Sequence, residues 1–375
     1  MCDPADSSQL KAWIFSPEDL ELCRARGNRQ ARKYLFRNTN NNNNNNNTPI
    51  ECFAREFPKK RKSFNDEDEG PTHTEDSKEY LVPEEENMLV SFYASKLPSL
   101  IGPMAQLPRL RRESKVPATA ATLLRRFYLS NSVMMHDPKT IMVSAAFLAS
   151  KVEDAMTDVR YLEEGTNLMN SPVTVSEILP AEIRLLSGIN FELLCFHPYK
   201  AVLAITEDLR TYLKSEKGRS LVTFVDGSDR PIIGQDLKPM HDAAQSIVND
   251  VIVSDIPLLY TPGQIGLAAL MVSNEKQKGK ENIPQIDLMG YLSHRFDGAD
   301  IPRMKSLLNE IGTKLQELKE GRHGCGNYKI DLQKLKAIHK KLKKCRIWGL
   351  KEKKKKKRKN ASAEDGSDSK RVKTS

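Results

Sequence analysis

A lysine and a glutamate stand where the sequence otherwise builds apolar helix core. The run Ile141-Met-Val-Ser-Ala-Ala-Phe147-Leu-Ala-Ser-Lys151-Val152 has no polar face wide enough for solvent, so it reads as a central helix surrounded by others, ending on Lys151. The stretch Ala181-Glu182-Ile-Arg-Leu-Leu-Ser-Gly-Ile-Asn190-Phe191 again has helical period, with a carboxylate near its start. Burying either charge alone is costly. Their placement on neighbouring core helices predicts a charged couple, Lys151 with Glu182, at the domain surface.

No other arrangement suggests catalysis. The chain has no G-x-x-x-x-G-K-[ST], no G-x-G-x-x-G, no H-E-x-x-H, no nucleophile elbow and no protein-kinase signature. Its seven histidines are scattered, and His136 and His197 fall at helix boundaries, where structural roles are the default. Six cysteines, at 2, 23, 52, 195, 325 and 345, show neither a C-x-x-C pair nor metal-ligand spacing, and read as reduced thiols of an intracellular protein. The expectation is a protein that regulates chemistry rather than performs it, with no catalytic residue, no metal and no cofactor.

Charge is unevenly spread. The formal net charge is +10, but 19 basic and 5 acidic residues fall within Lys329–Ser375, which leaves residues 1–328 at −4. The basicity belongs to a tail, so the folded part offers no bulk electrostatic case for covering nucleic acid. No run approaches 18 apolar residues and the N-terminus lacks a basic-then-apolar signal, so neither a membrane partner nor secretion is expected.

The elements that must position the couple follow from caps and periodicity. Ser16-Pro17-Glu18-Asp19 opens a helix to about Tyr34, either a solvated basic helix or an extension packed on the first domain. Asn40–Asn47 predicts disorder, and Pro58–Lys62 followed by Asp66–Glu69 reads first as solvated linker and second as a nuclear-import signal. Further helices are expected over Glu86–Leu97, from Pro117 to Tyr128, after the Asp137-Pro138 cap, over Thr174–Leu179 and over Pro180–Phe191. Residues 155–173, with Gly165, Asn167, Asn170 and Pro172, read as an inserted loop.

A repeat fixes the domain plan. Shifting the sequence by 124 residues puts Ala120 on Ala244, Leu123 on Ile247, Leu124 on Val248, Phe127 on Val251 and Ser130 on Ser254. Without a gap it goes on to put Asp137-Pro138 on Thr261-Pro262 and Ile141 on Ile265. Two helices and the capped turn between them recur in phase, which predicts two five-helix domains in tandem. The second uses about 199–214, 239–254, 262–275, 286–294 and 301–320, with a Gly/Asp/Ser-rich loop within 215–236. Lys151 meets Glu275 at this shift, so the lysine belongs to the first domain alone. Lys329–Trp348 predicts an exposed basic helix. Two basic clusters then follow, Lys353, Lys354, Lys355, Lys356, Lys357, Arg358 and Lys359, then Lys370, Arg371 and Lys373, with the density of a nuclear-import signal.

Lys151-Val-Glu-Asp154 closing an apolar helix, Glu182, and the Asn190-Phe191 that ends the next helix resemble the cyclin box. Arg126-Phe127-Tyr128-Leu129-Ser130-Asn131-Ser132, Leu258-Leu-Tyr260-Thr-Pro262 and the opening Trp13 and Phe15-Ser16 are most similar to cyclins of the kinase-activating kinase attached to transcription factor IIH. The resemblance implies an all-α fold of two tandem five-helix cyclin boxes with flanking N- and C-terminal helices. Its divisions are an N-terminal helical extension over 1–38, a disordered linker over 39–79, a first box over 80–196, a second over 197–322, a basic C-terminal helix over 323–350 and a disordered tail over 351–375. It also implies a nuclear, non-catalytic subunit that activates a cyclin-dependent kinase by holding its C-helix in place. Lys151 and Glu182 would bind the kinase backbone, and Val152, Leu186, Phe191 and Leu193 would supply apolar contact. Implied partners are that kinase, a ring-finger assembly subunit and the core of transcription factor IIH, acting on other such kinases and on the RNA polymerase II tail. The alternatives are another transcriptional cyclin, of the C, K, L or T type, or a IIB-like DNA clasp. The clasp predicts a zinc ribbon and a basic second domain, for which the sequence shows no signal.

Overall fold

The computed structural model describes residues 7–40, 80–224, 227, 230–280, 283–296, 298, 300–320 and 331–348. The asparagine tract beyond Asn40, the charged clusters of 58–69 and both expected nuclear-import clusters lie outside the described residues.

The described chain is all-α apart from one two-stranded ribbon. It opens with α1 (Ser8–Ala12) and α2 (Pro17–Asn40), the latter capped by Ser16 Oγ accepting from the Asp19 amide at 3.1 Å. α2 packs on the first domain along Leu20, Gly27, Asn28, Ala31 and Leu35. A Cβ on Gly27 would meet the Ser130 backbone at 3.1 Å, so a side chain there would force the helix away. Of the two expectations for this helix, the packed extension is what forms. Its contact stripe sets Gly27, Asn28 and Ala31 between two widely spaced leucines, Leu20 and Leu35, so no continuous apolar stripe announced it.

The first domain comprises α3 (Pro83–Ala94), a short α4 (Leu97–Ile101), α5 (Lys115–Phe127), α6 (Pro138–Val152), α7 (Val159–Leu168) and α8 (Val175–Gly188). α6 is the hub: Ile141 through Ala149 are buried on every side, as its lack of a polar face requires. Two sequence expectations are corrected here. The loop of 155–173 contains α7, because Gly165 is a packing residue and not a breaker. A Cβ there would lie 2.6 Å from Leu110 Cδ1. The two short helices over 174–191 are one, since Pro180 sits in the second turn and the carbonyl it leaves without an amide belongs to exposed Ser176.

The second domain comprises α9 (Pro198–Tyr212), a one-turn α10 (Glu216–Arg219), strand β1 (Val222–Thr223), α11 (Gly234–Val251), α12 (Pro262–Lys276), strand β2 (Gln285–Ile286), α13 (Leu288–Arg295) and α14 (Ile301–Glu320). The expected loop within 215–236 therefore carries α10 and β1, and β1 pairs antiparallel with β2, Val222 facing Ile286. α6 and α12 start and stop at positions related by 124, so the repeat is real in three dimensions. The domains are locked together by Arg125, buried in α5, whose guanidinium binds the Asp255 carboxylate and the Val253 carbonyl. Arg24 of α2 reaches the same carboxylate at 2.7 Å.

The last element, α15 (Leu332–Cys345), is not the exposed helix expected. Leu335, Ile338 and Leu342 are buried against the first domain, Lys341 pairs with Glu85 at 2.7 Å, and Trp348 Nε1 donates to the Val133 carbonyl at 2.8 Å.

Candidate functional site

α6 and α8 pack side by side, pinned by Ser144 Oγ donating to the Ile178 carbonyl at 2.8 Å. That alignment sets the last turn of α6 against the middle of α8. Lys151 Nζ lies 2.7 Å from Glu182 Oε1 and 3.0 Å from Oε2, with the ammonium 3.9 Å from the centre of the Phe147 ring. The couple read from the sequence is thus formed. It is asymmetric: the lysine side chain is 36% exposed and the glutamate 11%. Two of the three ammonium protons serve Glu182, which leaves one turned to solvent, while the carboxylate keeps lone pairs to spare.

Helix ends shape the surroundings. α6 stops with Asp154 at φ 53° and α8 with Asn190 at φ 53°, left-handed residues of the kind that Asn and Asp tolerate. After each, an amide bonds back five residues, Ala155 to Ser150 at 2.9 Å and Phe191 to Leu186 at 3.0 Å. Phe191 is itself left-handed, φ 58°, and is turned outward with 66% of its surface exposed.

Of the other residues expected to provide apolar contact, Val152, Leu186 and Leu193 are half-buried at the edge of the core. Val152 adjoins Lys151, Leu186 lies one turn beyond Glu182, and the Phe191 amide is bonded to Leu186. The structure adds residues that sequence reasoning missed. Leu179 and Ile183 on α8, Met156 after α6 and Leu194 after α8 are all exposed. A signal existed: α8 buries Ile178, Ala181 and Leu185 yet is also apolar at Leu179, Ile183 and Leu186, a stripe broader than one core needs.

Arg126 was missed as well. Fully buried in α5, it donates to the carbonyls of Glu192 and Leu194 at 3.0 and 3.1 Å and lies over the Trp13 ring at 4.8 Å. It thereby fixes the segment that carries Phe191 and Leu193. Burial first, opposed by neighbouring Cys195 and Glu192, pulls its pKa below the usual guanidinium value. Next to it, Thr119 Oγ1 donates to Glu153 at 2.5 Å and lies 2.7 Å from His197 Nε2. With its one proton given to the carboxylate, the threonine oxygen accepts from an Nε2–H tautomer. Burial, with help from Arg126 and Lys200, pushes the His197 pKa down to about 3, so this ring at the head of α9 is neutral and structural.

The second domain has no such couple at the matching place. Glu275 occupies the position of Lys151 and is exposed. Among the described residues no group of three or more His, Cys, Asp and Glu is placed to hold a metal.

The chain as a whole is similar to known proteins. A family profile described as the cyclin N-terminal domain matches residues 105–194, and one described as the cyclin C-terminal domain matches 197–347. The chain is 26% identical over 349 residues to Cyclin-H1-1 of Arabidopsis thaliana, covering 92% of this chain and 89% of that one. It is 29% identical over 269 residues to Cyclin CCL1 of Saccharomyces cerevisiae, covering 72% of this chain but only 57% of that protein. A chain of the CAK complex from Chaetomium thermophilum, solved with ATP-gamma-S, shares the fold with a TM-score of 0.64 and 24% identity, over 96% of this chain and 94% of that one. Two consecutive cyclin domains spanning more than half of the chain, in the order and on the helices that the repeat laid out, mean that this protein belongs to the cyclin family.

Proposed function

We propose that this protein is the regulatory cyclin subunit of a kinase-activating kinase, part of transcription factor IIH, and that the Lys151–Glu182 face docks the kinase. The carrying observation is that pair, held at 2.7 Å and flanked by exposed Ile183 and Phe191, on one cyclin box and not on its copy. The names of its relatives, a cyclin H and a chain of a CAK complex, support the choice of partner.

The mechanism follows from what a kinase needs. Phosphoryl transfer requires the strand lysine paired with the C-helix glutamate and an ordered activation loop. A subunit that binds only the C-helix-in state draws the kinase population toward it. Here the free ammonium proton of Lys151 is suited to a backbone carbonyl of the partner, and the open lone pairs of Glu182 to a backbone amide. Val152, Leu186, Leu193 and the exposed apolar side chains give the buried area that makes those hydrogen bonds count. The chain itself contributes no catalytic group in this reading. Its substrates are those of the assembled kinase, namely other cyclin-dependent kinases and the RNA polymerase II tail. A ring-finger assembly subunit completes the complex, and the clusters of 353–359 and 370–373 carry it into the nucleus.

The test is a pull-down of the chain from nuclear extract. Bound kinase activity is assayed on a polymerase-tail peptide and on an inactive cyclin-dependent kinase, with Lys151→Ala/Glu182→Ala in parallel. Activity on both substrates, lost in the double variant, is the expected result. Activity on the tail alone would point to another transcriptional cyclin, and full activity in the variant would make the pair merely structural.

A further inference from the structure

Away from the docking face, a cleft lies between α15 and the first box, and three cations meet there from two segments: Lys139 at the start of α6, and Lys343 and Arg346 at the end of α15. None of the three forms an ion pair with a carboxylate among the described residues. Asp137, the one carboxylate of the cleft, acts on Lys139 and Arg346 and leaves the cations in excess, an unfavourable gathering from which flexible side chains would ordinarily swing apart. Two of these are tethered. Lys139 Nζ donates to the Pro172 carbonyl at 2.9 Å. The Arg346 guanidinium lies 4.2 Å over the Trp348 ring, which is itself anchored to the first box by its bond to Val133, and the Ile347 amide donates to Met134 at 3.1 Å.

A stacked guanidinium presents its edge donors outward, and no described residue accepts from those of Arg346. Ser171 and the His339 ring, edge-on to Tyr93, add polar groups to the wall. The one acid of the cleft is Asp137, whose two oxygens already accept from the Lys139 amide and from Thr140 Oγ1, both at 3.1 Å, as the cap of α6. A fixed fork, two ammonium groups and a hydroxyl match the three acceptor oxygens and double charge of a phosphate monoester. Half-buried Tyr93 and Trp348 line the same cleft and give apolar surface for residues flanking the phosphate.

We propose that this cleft binds a phosphoserine or phosphothreonine side chain of a peptide. The choice of a peptide as the source rests on the kinase-subunit reading, since such side chains are the products of a protein kinase. Retaining a phosphorylated product would favour further phosphorylation of the same chain.

The test titrates the full chain alone with three probes, following Trp348 fluorescence at low and physiological salt. They are a polymerase-tail-repeat peptide carrying one phosphoserine, its unphosphorylated twin and inorganic phosphate. The phosphopeptide is expected to bind at least tenfold more tightly than either of the others. Lys343→Glu and Arg346→Gln should each weaken it at least tenfold, whereas Lys336→Glu, on the exposed face of the same helix, should not. Lys343 is exposed, so its variant should keep the parent's thermal unfolding. Equal affinity for phosphate and phosphopeptide would reduce the cleft to an anion patch and overturn the proposal, as would unchanged binding by Lys343→Glu. Kinase activation by Lys343→Glu, assayed in parallel, separates the two readings. Binding lost with activation intact confirms the site as independent of docking. Phosphopeptide binding by a chain that captures no kinase would sink the function and not the site.

Discussion

The central helix of the first box ends Ser150-Lys151-Val152 and that of the second Asn274-Glu275-Lys276, at positions related by the repeat, and the two ends are put to opposite uses. In the first, Ser150 only bonds back within its helix and Lys151 reaches across to Glu182, so the helix end faces outward with its charge held ready. In the second, Asn274 is buried and clamps β2, donating to the Ile286 carbonyl at 2.8 Å and accepting from its amide at 3.2 Å. That end is turned inward and secures the ribbon. One five-helix plan thus carries an outward charged couple, the docking site proposed above, in one copy and a structural joint in the other, so the fold alone does not assign the role.

The comparison presumes that both boxes form one body, and Arg125 is where that is most easily broken. Arg125→Ala leaves the Asp255 carboxylate, which Arg24 and Asn87 also contact, and the Val253 carbonyl without their buried guanidinium. Removing one partner of a buried ion pair costs about 3–5 kcal/mol. Urea unfolding of the variant should show a lower midpoint and two separated transitions in place of one. A loss below about 1 kcal/mol would mean that the boxes are held together mainly by other contacts.

A second difference is a buried acid that the first box alone uses to hold the N-terminal extension. Glu86 accepts from Asn28 of α2 at 2.8 Å and from Ser132 at 2.6 Å, while the residue that the repeat puts in place of Ser132 is Ile256. Burial, only partly offset by those bonds and by Arg32, raises the Glu86 pKa from 4.5 to about 7. The folded state therefore binds this proton more tightly than the unfolded one. Stability from this group is full below about pH 4.5 and falls as pH rises to about 7, by up to about 3 kcal/mol. Glu86→Gln keeps an acceptor for both donors and removes the charge, so at pH 8 it should unfold at a higher temperature than the parent, with the gap closing toward pH 5. A constant gap across that range would refute the buried-charge account.

The docking difference itself is sharpened by paired variants. Lys151→Ala should weaken kinase capture by about 2 kcal/mol, as should Phe191→Ala, whose side chain packs little in the free protein; Glu275→Ala should change nothing. Calorimetric titration of the purified kinase reads all three. An equal loss from Glu275→Ala would move the interface to both boxes.

Much of this was legible because the signals were local. An apolar helix with a terminal lysine, a gapless repeat and Asp-Pro and Thr-Pro caps survive in one dimension. What escaped depended on partners distant in sequence. Gly165 reads as a breaker until Leu110 is seen against it, and Arg125 and Arg126 read as surface charge until Val253, Asp255, Glu192 and Leu194 supply their acceptors. α15 reads as exposed because its basic background hides the stripe of Leu335, Ile338 and Leu342.

The finest contrast lies in how the helices stop. Among the described residues, the left-handed positions of the first box are Asp154, Asn170, Asn190 and Phe191, while those of the second are glycines, Gly279 and Gly298 among them. A side chain at positive φ carries a steric penalty, about 1–2 kcal/mol for an ordinary L-residue and less for Asn or Asp. At Gly279 a new Cβ would meet nothing within 4 Å, so Gly279→Ala isolates the backbone term and should cost about 1 kcal/mol. Asp154→Gly runs the other way. It relieves the left-handed side chain and removes a negative charge from the unfavourable end of the α6 dipole, but frees the unfolded chain. Those effects nearly cancel, so thermal unfolding should place it within about 0.5 kcal/mol of the parent. A gain well beyond that would show that the first box bears strain at the edge of its docking face; a clear loss would show that the Asp154 side chain holds the turn that presents Lys151.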